Sequence, residues 1–358
     1  MPAISIVMPV YNTEKYVGKA IQSVLNQTFQ DFEFVIIDNG STDGSGDIIQ
    51  NYASQDNRIR VIKNEENVFI ADARNQAIED LKGEYLYLID SDDWILPEML
   101  ETMYKRGSTF RAQYVVCGYF MDYYENGKAH CYAVCPDDGD MEQSEFRNKA
   151  VDYLVHTILT VPWNKLYSLS YIREHAISFR HTKLEDHHFN MDFIMDVERV
   201  SMISTPFYHY YRSRQGTDSQ VVYNYYLNQK KREHFAHTLM VYEHWKISDE
   251  QTVGKLADYH LGRLVQCVVQ VVNNKQLDKK EKNNEIQQIL SDPYTVYAVK
   301  HCTHNSIKMS ILSIPIKRKS KLLCRVMGRG VFLFKKYFSS LYLKFRAEEA
   351  QGAKEIES

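Results

Sequence analysis

The 358 residues are 44% apolar, 25% charged and 13% aromatic, which excludes wholesale disorder and leaves ample chain for a sizeable core. The net charge is −3, so a protein coated in nucleic acid is not expected. Residues 305–346 carry 11 Lys/Arg and no Asp/Glu; removing that +11 from −3 leaves −14 elsewhere, an acidic body with a basic end that asks for an anionic partner.

Strand and helix signals alternate through the first hundred residues. Ile4 to Val10 is a short apolar run suited to a strand covered on both faces. Thr13 is placed to cap a helix whose apolar positions Val17, Ile21, Val24 and Leu25 share one side. Phe34 to Ile37 reads as a second strand, running into the turn-rich Asp38-Asn39-Gly40-Ser41-Thr42-Asp43 and a helix around Asp47 to Tyr52. Ile59 to Ile62 is a third strand, Ala71 to Leu81 a helix stopped by Gly83, and Tyr85 to Ile89 a fourth strand ending in Asp90-Ser91-Asp92-Asp93. This alternation predicts an α/β, mostly parallel sheet with helices on both faces. Ligands of such sheets bind beyond the carboxyl ends of the strands, where Tyr11-Asn12, Asp38-Asn39 and Asp90 to Asp93 should converge.

Beyond residue 110 the pattern changes. Tyr114 to Tyr124 and Ala129 to Val134 read as strands joined at Glu125-Asn126-Gly127-Lys128, followed by helices at Ser144 to Leu159 and Asp186 to Met195 and a strand at Phe207 to Arg212. From Val221 onward the chain reads as helical. The expected division is 1–220, a helical region 221–305, and a basic amphipathic tail 306–358. The six cysteines are far apart and contain no CxxC pair, so reduced thiols are expected, and His130, Cys131 and Cys135 lack a second pair at zinc spacing. No signal peptide is visible and Met309 to Ile316 is too short to span a bilayer, so a cytoplasmic protein is expected, peripheral on the inner face of the membrane through its tail.

Four clusters could carry chemistry. Asp90, Asp92 and Asp93 repel one another in a loop, which suits Mn2+ or Mg2+ with open positions for phosphate; the bland alternative is a solvated turn with Asp93 capping the next helix. Asp38 and Asn39 could accept hydrogen bonds from a nucleobase or ribose, with Pro9 and Tyr11 flanking the ring, or simply cap the following helix. Glu185 and Asp186 at a helix start suit a general base, whereas His187 and His188, being adjacent on a helix, point apart and do not suit zinc. Alternation in the strand around Tyr208 to Arg212 puts His209 and Tyr211 on one face, Tyr210 and Arg212 on the other.

In this order the pieces resemble the family 2 glycosyltransferases of the GT-A (Rossmann-like) fold. The resemblance rests on residues 5–12, 23–29 and 38–45, Ala73-Arg74-Asn75, Gly83-Glu84-Tyr85, Asp90-Ser91-Asp92-Asp93-Trp94, Trp163-Asn164-Lys165-Leu166-Tyr167 and Glu185-Asp186, and covers about residues 3–215. It implies that Pro9, Tyr11, Asp38 and Asn39 hold the nucleoside and that Arg74 faces base or phosphates. Asp90 and Ser91 would lie on the ribose side, Asp92 and His209 would hold Mn2+ or Mg2+, and Arg212 would meet the phosphates. Asp186, with Glu185 beside it, would be the catalytic base. Asn39 and Phe69 depart from the common pattern, where a second aspartate and a glycine stand. The Gln-x-x-Arg-Trp motif of processive polymerases is absent.

The implied activity is inverting transfer of a hexosyl or N-acetylhexosaminyl group from a nucleotide sugar, UDP-sugar favoured, to a cell-surface glycan or lipid-linked precursor. A nucleotidyltransferase, or a non-catalytic nucleotide-sugar-binding or assembly subunit, is the alternative. In the tail, Leu322, Val326, Leu333, Tyr337, Leu341 and Phe345 recur among basic residues, which suits an anionic membrane surface, or else packing on the body or in a homo-oligomer. No RNA-binding module is visible.

Overall fold

A computed structural model describes residues 1–125, 128–182, 184–212, 227–303 and 307–338. They divide between two compact units, within residues 1–214 and 215–349.

The first unit is built on ten strands: β1 (Ile4–Val10), β2 (Phe32–Asn39), β3 (Ile59–Asn64), β4 (Tyr85–Leu88), β5 (Trp94–Ile95), β6 (Tyr114–Glu125), β7 (Lys128–Val134), β8 (Gly139–Glu142), β9 (Lys165–Ser168) and β10 (Arg199–Tyr211). Their order is β3-β2-β1-β4-β9-β6-β10-β5, with β7 on β6 and β8 on β10. β3, β2, β1 and β4 run parallel, as do β6 and β10, while β9 is antiparallel to both its neighbours. The α/β sheet read from the sequence is therefore present. Strand order reverses about β1, so the switch-point crevice opens where Pro9–Asn12, Asp38–Gly40 and Asp90–Asp93 end their strands.

The helices of this unit are α1 (Val17–Leu25), α2 (Ser45–Ala53), α3 (Ile70–Ile78), α4 (Met99–Phe110), α5 (Gln143–Val155), α6 (Leu169–Glu174) and α7 (Glu185–Ile194). α1 buries Val17, Ala20, Ile21 and Val24, the i, i+3, i+4, i+7 stripe of a helix laid on a sheet. Thr13 is not its cap. The Thr13 hydroxyl donates instead to Ser91 Oγ at 3.1 Å, fastening the start of the helix to the acidic turn. α3 ends at Ile78, short of Leu81: the Asp80 and Leu81 N–H groups turn to the carbonyls three residues back, at 3.3 and 3.5 Å, and the chain beyond is tied down where Lys82 N–H donates to Glu33 Oε1 and Gly83 N–H to Ser5 Oγ, at 2.7 and 2.8 Å. β10 begins eight residues before Phe207, through a register shift on either side of Pro206. The bulge absorbs a residue that otherwise reads as a strand breaker. The turn expected at 125–128 lies partly outside the described residues.

The second unit is helical: α8 (Leu227–His244), α9 (Glu250–Asn273), α10 (Lys279–Ser291), α11 (Pro293–His301), α12 (Ile307–Leu312), α13 (Ile314–Lys317) and α14 (Lys321–Tyr337). α9 presents Leu261, Leu264, Val265, Val268, Val271 and Val272 to a core shared with Ile286, Ile289, Ile316 and Cys324. α14 docks through Cys324 and Gly328. A Cβ at Gly328 would lie 2.9 Å from Val272 Cγ2, so only glycine allows this approach. The segment set apart in the sequence as a tail thus builds the same core as far as α14, while Leu341 and Phe345 lie outside the described residues. All six cysteines are free thiols. Among the described residues no helix is long and apolar enough to cross a membrane.

Candidate active site

The two loops nearest β1 and β2 are laced together. Asn12, in the left-handed region at φ 50°, accepts the Thr42 N–H through Oδ1 at 2.8 Å. Asp38 Oδ1 accepts from Ser41 N–H at 3.0 Å and is buried. Asn39 is more fully committed than its sequence position suggests. Its amide donates to Asn67 Oδ1 and to the Val68 carbonyl at 2.8 Å each, while its oxygen accepts from Asn64 Nδ2 at 2.9 Å and Val68 N–H at 3.3 Å. The side chain expected to read a base instead pins the 64–68 loop. Pro9 is buried within β1, so of the pair expected to flank a ring only Tyr11, 42% exposed, offers a face.

The acidic turn is held from behind by β10. Tyr208 Oη accepts the Asp90 N–H at 3.3 Å and donates to Asp93 Oδ2 at 2.6 Å, and Tyr211 N–H donates to Asp93 Oδ1 at 2.8 Å. Trp163 stacks on Tyr208 at 4.1 Å and 10°. Asp93 is therefore a buried anchor and not a helix cap. Burial, with Asp92 and Asp90 adding to it, raises its pKa well above the ordinary carboxylate value. Ser91 turns inward to Thr13. Asp90 and Asp92 are the turn's two partly exposed carboxylates.

Arg74 was expected to face a ligand. It is 2% exposed and forms the knot of the site. Its Nη2 is 3.3 Å from Asp90 Oδ1 and its Nη1 is 3.7 Å from Glu185 Oε1, with Nη1 also donating to Asp186 Oδ1. One guanidinium thus gathers carboxylates from the end of β4 and the first turn of α7. With all three ionised the group carries −2, and this crowding shows in the proton affinities. Burial raises the Asp90 pKa, opposed by Arg74 and reinforced by Asp92 and Asp186; burial and then Asp186 raise that of Glu185. Arg74 is driven the other way, further above its ordinary value by its three partners despite burial. Asn190 keeps α7 in place. Its Oδ1 accepts from Tyr114 and Tyr167 Oη at 3.0 and 2.9 Å, while its Nδ2 donates to the Asp186 carbonyl at 2.8 Å.

His209 lies in a four-layer stack. Its ring sits 4.8 Å from Trp94 and 4.5 Å from Phe120, at 13° and 23°, and Lys19 Nζ lies 2.9 Å above the far face of Trp94. The register aligns all three rings across β5, β10 and β6. Asp122 Oδ2 is 2.8 Å from His209 Nδ1. Arg212 Nη1 donates to Tyr210 Oη at 2.7 Å, so Tyr210 and Arg212 do share a face.

Sequence reasoning gave no role to Asp122, Lys165 or Asn190, although Lys165 lies in the Trp163-Asn164-Lys165-Leu166-Tyr167 run on which the resemblance rests. Asp122 interrupts the apolar and aromatic run from Tyr114 to Tyr124, a signal that could have been read. Lys165 is fully buried, with Nζ donating to the Ile158 carbonyl at 2.6 Å, and burial pushes its pKa well down. His187 and His188 are buried, and among the described residues no group of three His, Cys, Asp or Glu is placed to hold a metal alone.

Residues 5–160 match the model of glycosyl transferase family 2. A Haemophilus influenzae protein named as an uncharacterized glycosyltransferase is 33% identical over 206 residues, which span 57% of this chain and 76% of that protein. This chain belongs to glycosyltransferase family 2. EpsH of Bacillus subtilis (strain 168), also named as a glycosyltransferase, is 34% identical to the transferase over 218 residues; the match spans 58% of this chain and 60% of EpsH. In fold it resembles S. aureus TarS residues 1–349, solved in complex with UDP-GlcNAc, with TM-score 0.67, 18% identity and 92% of each chain covered. The sheet is accordingly GT-A-like, followed by a helical C-terminal region. Family membership sets nucleotidyl transfer aside.

Proposed function

We propose that the transferase moves a hexosyl or N-acetylhexosaminyl group, with inversion, from a UDP-sugar to a hydroxyl of a cell-surface glycan or lipid-linked precursor. The observation that carries this reading is the Arg74 knot. It brings Asp90, at the strand ends where a nucleotide would bind, beside Glu185 and Asp186, which lie more than ninety residues further along the chain. The UDP-GlcNAc bound to S. aureus TarS, a protein of like fold, supports the donor class.

Chemically, the acceptor oxygen bonds to the anomeric carbon as the bond from that carbon to the diphosphate oxygen breaks. Asp186 takes the hydroxyl proton. Arg74 holds one Asp186 oxygen, which leaves the other to accept. Glu185, with its raised pKa, supports Asp186 by keeping its own charge partly neutralised at physiological pH.

A divalent ion suits the donor set. Mg2+ and Mn2+ bind through one or two protein carboxylates and complete their shells with phosphate oxygens and water, so a three-residue cage is not needed. Asp92 and His209 would hold it, and Asp122, by accepting a hydrogen bond from His209 Nδ1–H, would fix the tautomer that leaves Nε2 to ligate. When bound, the ion would neutralise charge on the departing diphosphate. Arg212 and Tyr11 would face diphosphate and base. The same reading places the enzyme at the inner face of the membrane through α14, whose five Lys/Arg are unopposed by any acid.

The test is a pair of variants. Asp186→Asn should cut transfer by about 10²- to 10⁴-fold while UDP-sugar binding, measured by calorimetry, stays within a few-fold. Asp92→Ala should remove the Mn2+-dependent part of UDP binding. Wild-type turnover in Asp186→Asn would point to another base, or to a binding subunit.

A further inference from the structure

The segment that leads into α7 is gripped by α3. Phe69, Asp72 and Asn75 recur every three residues from the start of that helix, a spacing that keeps neighbours on one side. Phe69 stacks on His181 at 4.4 Å and 28°, and Asp72 Oδ2 lies 2.8 Å from His181 Nδ1. Asn75 grips more firmly. Its Nδ2 donates to the Phe179 carbonyl at 2.8 Å, and its Oδ1 accepts from the Phe179 N–H at 2.9 Å. One side-chain amide thus takes both backbone groups of a single residue, as a facing residue does in an antiparallel ladder.

The residue so held is a wall of the Arg74 knot. Phe179 is buried. Its ring lies parallel to that of Phe189 in α7, at 4.0 Å and 2°, and the Arg74 guanidinium stands 5.0 Å from its centroid. Arg180, the next residue, reaches Asp192 of α7 at 2.7 Å. The two Nη atoms of Arg74 are engaged by carboxylates, but among the described residues its buried Nε has no hydrogen-bond partner. Hydrogen bonds alone therefore do not fix the guanidinium, and packing on the Phe179 face adds to what does. Because Asn75 directly follows Arg74, one turn of α3 carries both the cation and the clamp on its wall.

We propose that Asn75 is a positioning residue for the transfer reaction: by fixing Phe179 it sets where Arg74 and α7 present Asp186. The inference rests on Asp186 being the base. A misplacement of about 1 Å can cost about 10²-fold in rate, so a clamp remote from the substrate can matter.

The experiment uses the full chain. UDP release from UDP-glucose and from UDP-GlcNAc gives kcat, calorimetry gives the UDP affinity, and hydrogen exchange read by mass spectrometry follows residues 185–190. Asn75→Leu keeps the size of the side chain and removes both hydrogen bonds. It should lower kcat by about tenfold or more, leave the Kd for UDP within about twofold, and speed exchange in α7 but not in α1. In an Asp186→Asn background the same change should cost nothing further, because what it positions is already gone. A merely structural asparagine would weaken UDP binding as well and multiply its loss onto that of Asp186→Asn. Should Asn75→Leu not fold, the exposed pair Asp72→Ala/His181→Ala decides, with a loss in kcat of about threefold or more and faster exchange in α7 expected. Unchanged kcat and exchange, or losses that multiply, overturn the proposal. Wild-type turnover in Asp186→Asn, or no release from either donor, is a failure of the base or donor reading; exchange in α7 then decides the clamp by itself, and unchanged exchange overturns it.

Discussion

Asp90, Asp93 and Glu185 hold their protons more tightly in the folded chain than an unfolded carboxyl does. The direction sets a sign. Stability from a raised carboxyl is full below the unfolded pKa of about 4 and drains away as pH rises through the folded value. The ligand-free transferase should therefore melt at a lower temperature at about pH 8 than at about pH 5, and combining Asp90→Asn with Glu185→Gln should remove most of that slope. Scanning fluorimetry across this range decides it: an equally steep slope in the double variant sinks the claim. Residue identity was the most legible layer of the site, and residue orientation the least. Asp90, Asp186 and Arg74 were all picked out as site residues, but only the fold could turn Arg74 from a ligand contact into a buried clasp. Asn39 shows the same limit. Its four hydrogen bonds run to residues 64–68, a partnership that no spacing within 38–45 encodes.

Among the elements, the loop after β2 is the most exacting. Gly40 has φ +75°, and a Cβ there would lie 2.5 Å from the Glu66 carbonyl carbon and 2.7 Å from Asn67 N. Both the backbone region and the space demand glycine. Gly40→Ala should cost more than about 1 kcal/mol in urea unfolding and weaken UDP binding as well, because the displaced 64–68 loop is the one Asn39 pins. Stability loss without any change in UDP affinity would separate this loop from the nucleotide pocket. β1, β2, β4 and α1 were readable because each buries a continuous apolar run or a stripe of period 3.6. The extended start of β10 was not. Ser204-Thr205-Pro206 breaks the local pattern, and only pairing with β6 across a bulge keeps the strand going.

For the whole molecule, α14 carries the testable expectation. One face is fixed to the helical core through Cys324 and Gly328, while Leu322, Val326, Leu333 and Tyr337 are 62%, 63%, 49% and 68% exposed beside Lys321, Arg325, Arg329, Lys335 and Lys336. The protein should co-sediment with phosphatidylglycerol vesicles and lose most of that binding in 0.5 M salt or in Leu322→Asp/Val326→Asp, with the fold intact. Equal sedimentation of the variant would assign this face to a protein partner. The Arg74 clasp has a consequence of its own for anyone redesigning the enzyme. Because a single guanidinium holds both the turn after β4 and the first turn of α7, a change at Arg74 itself would loosen both at once. Altered sugar choice is better sought in walls that this cation does not touch.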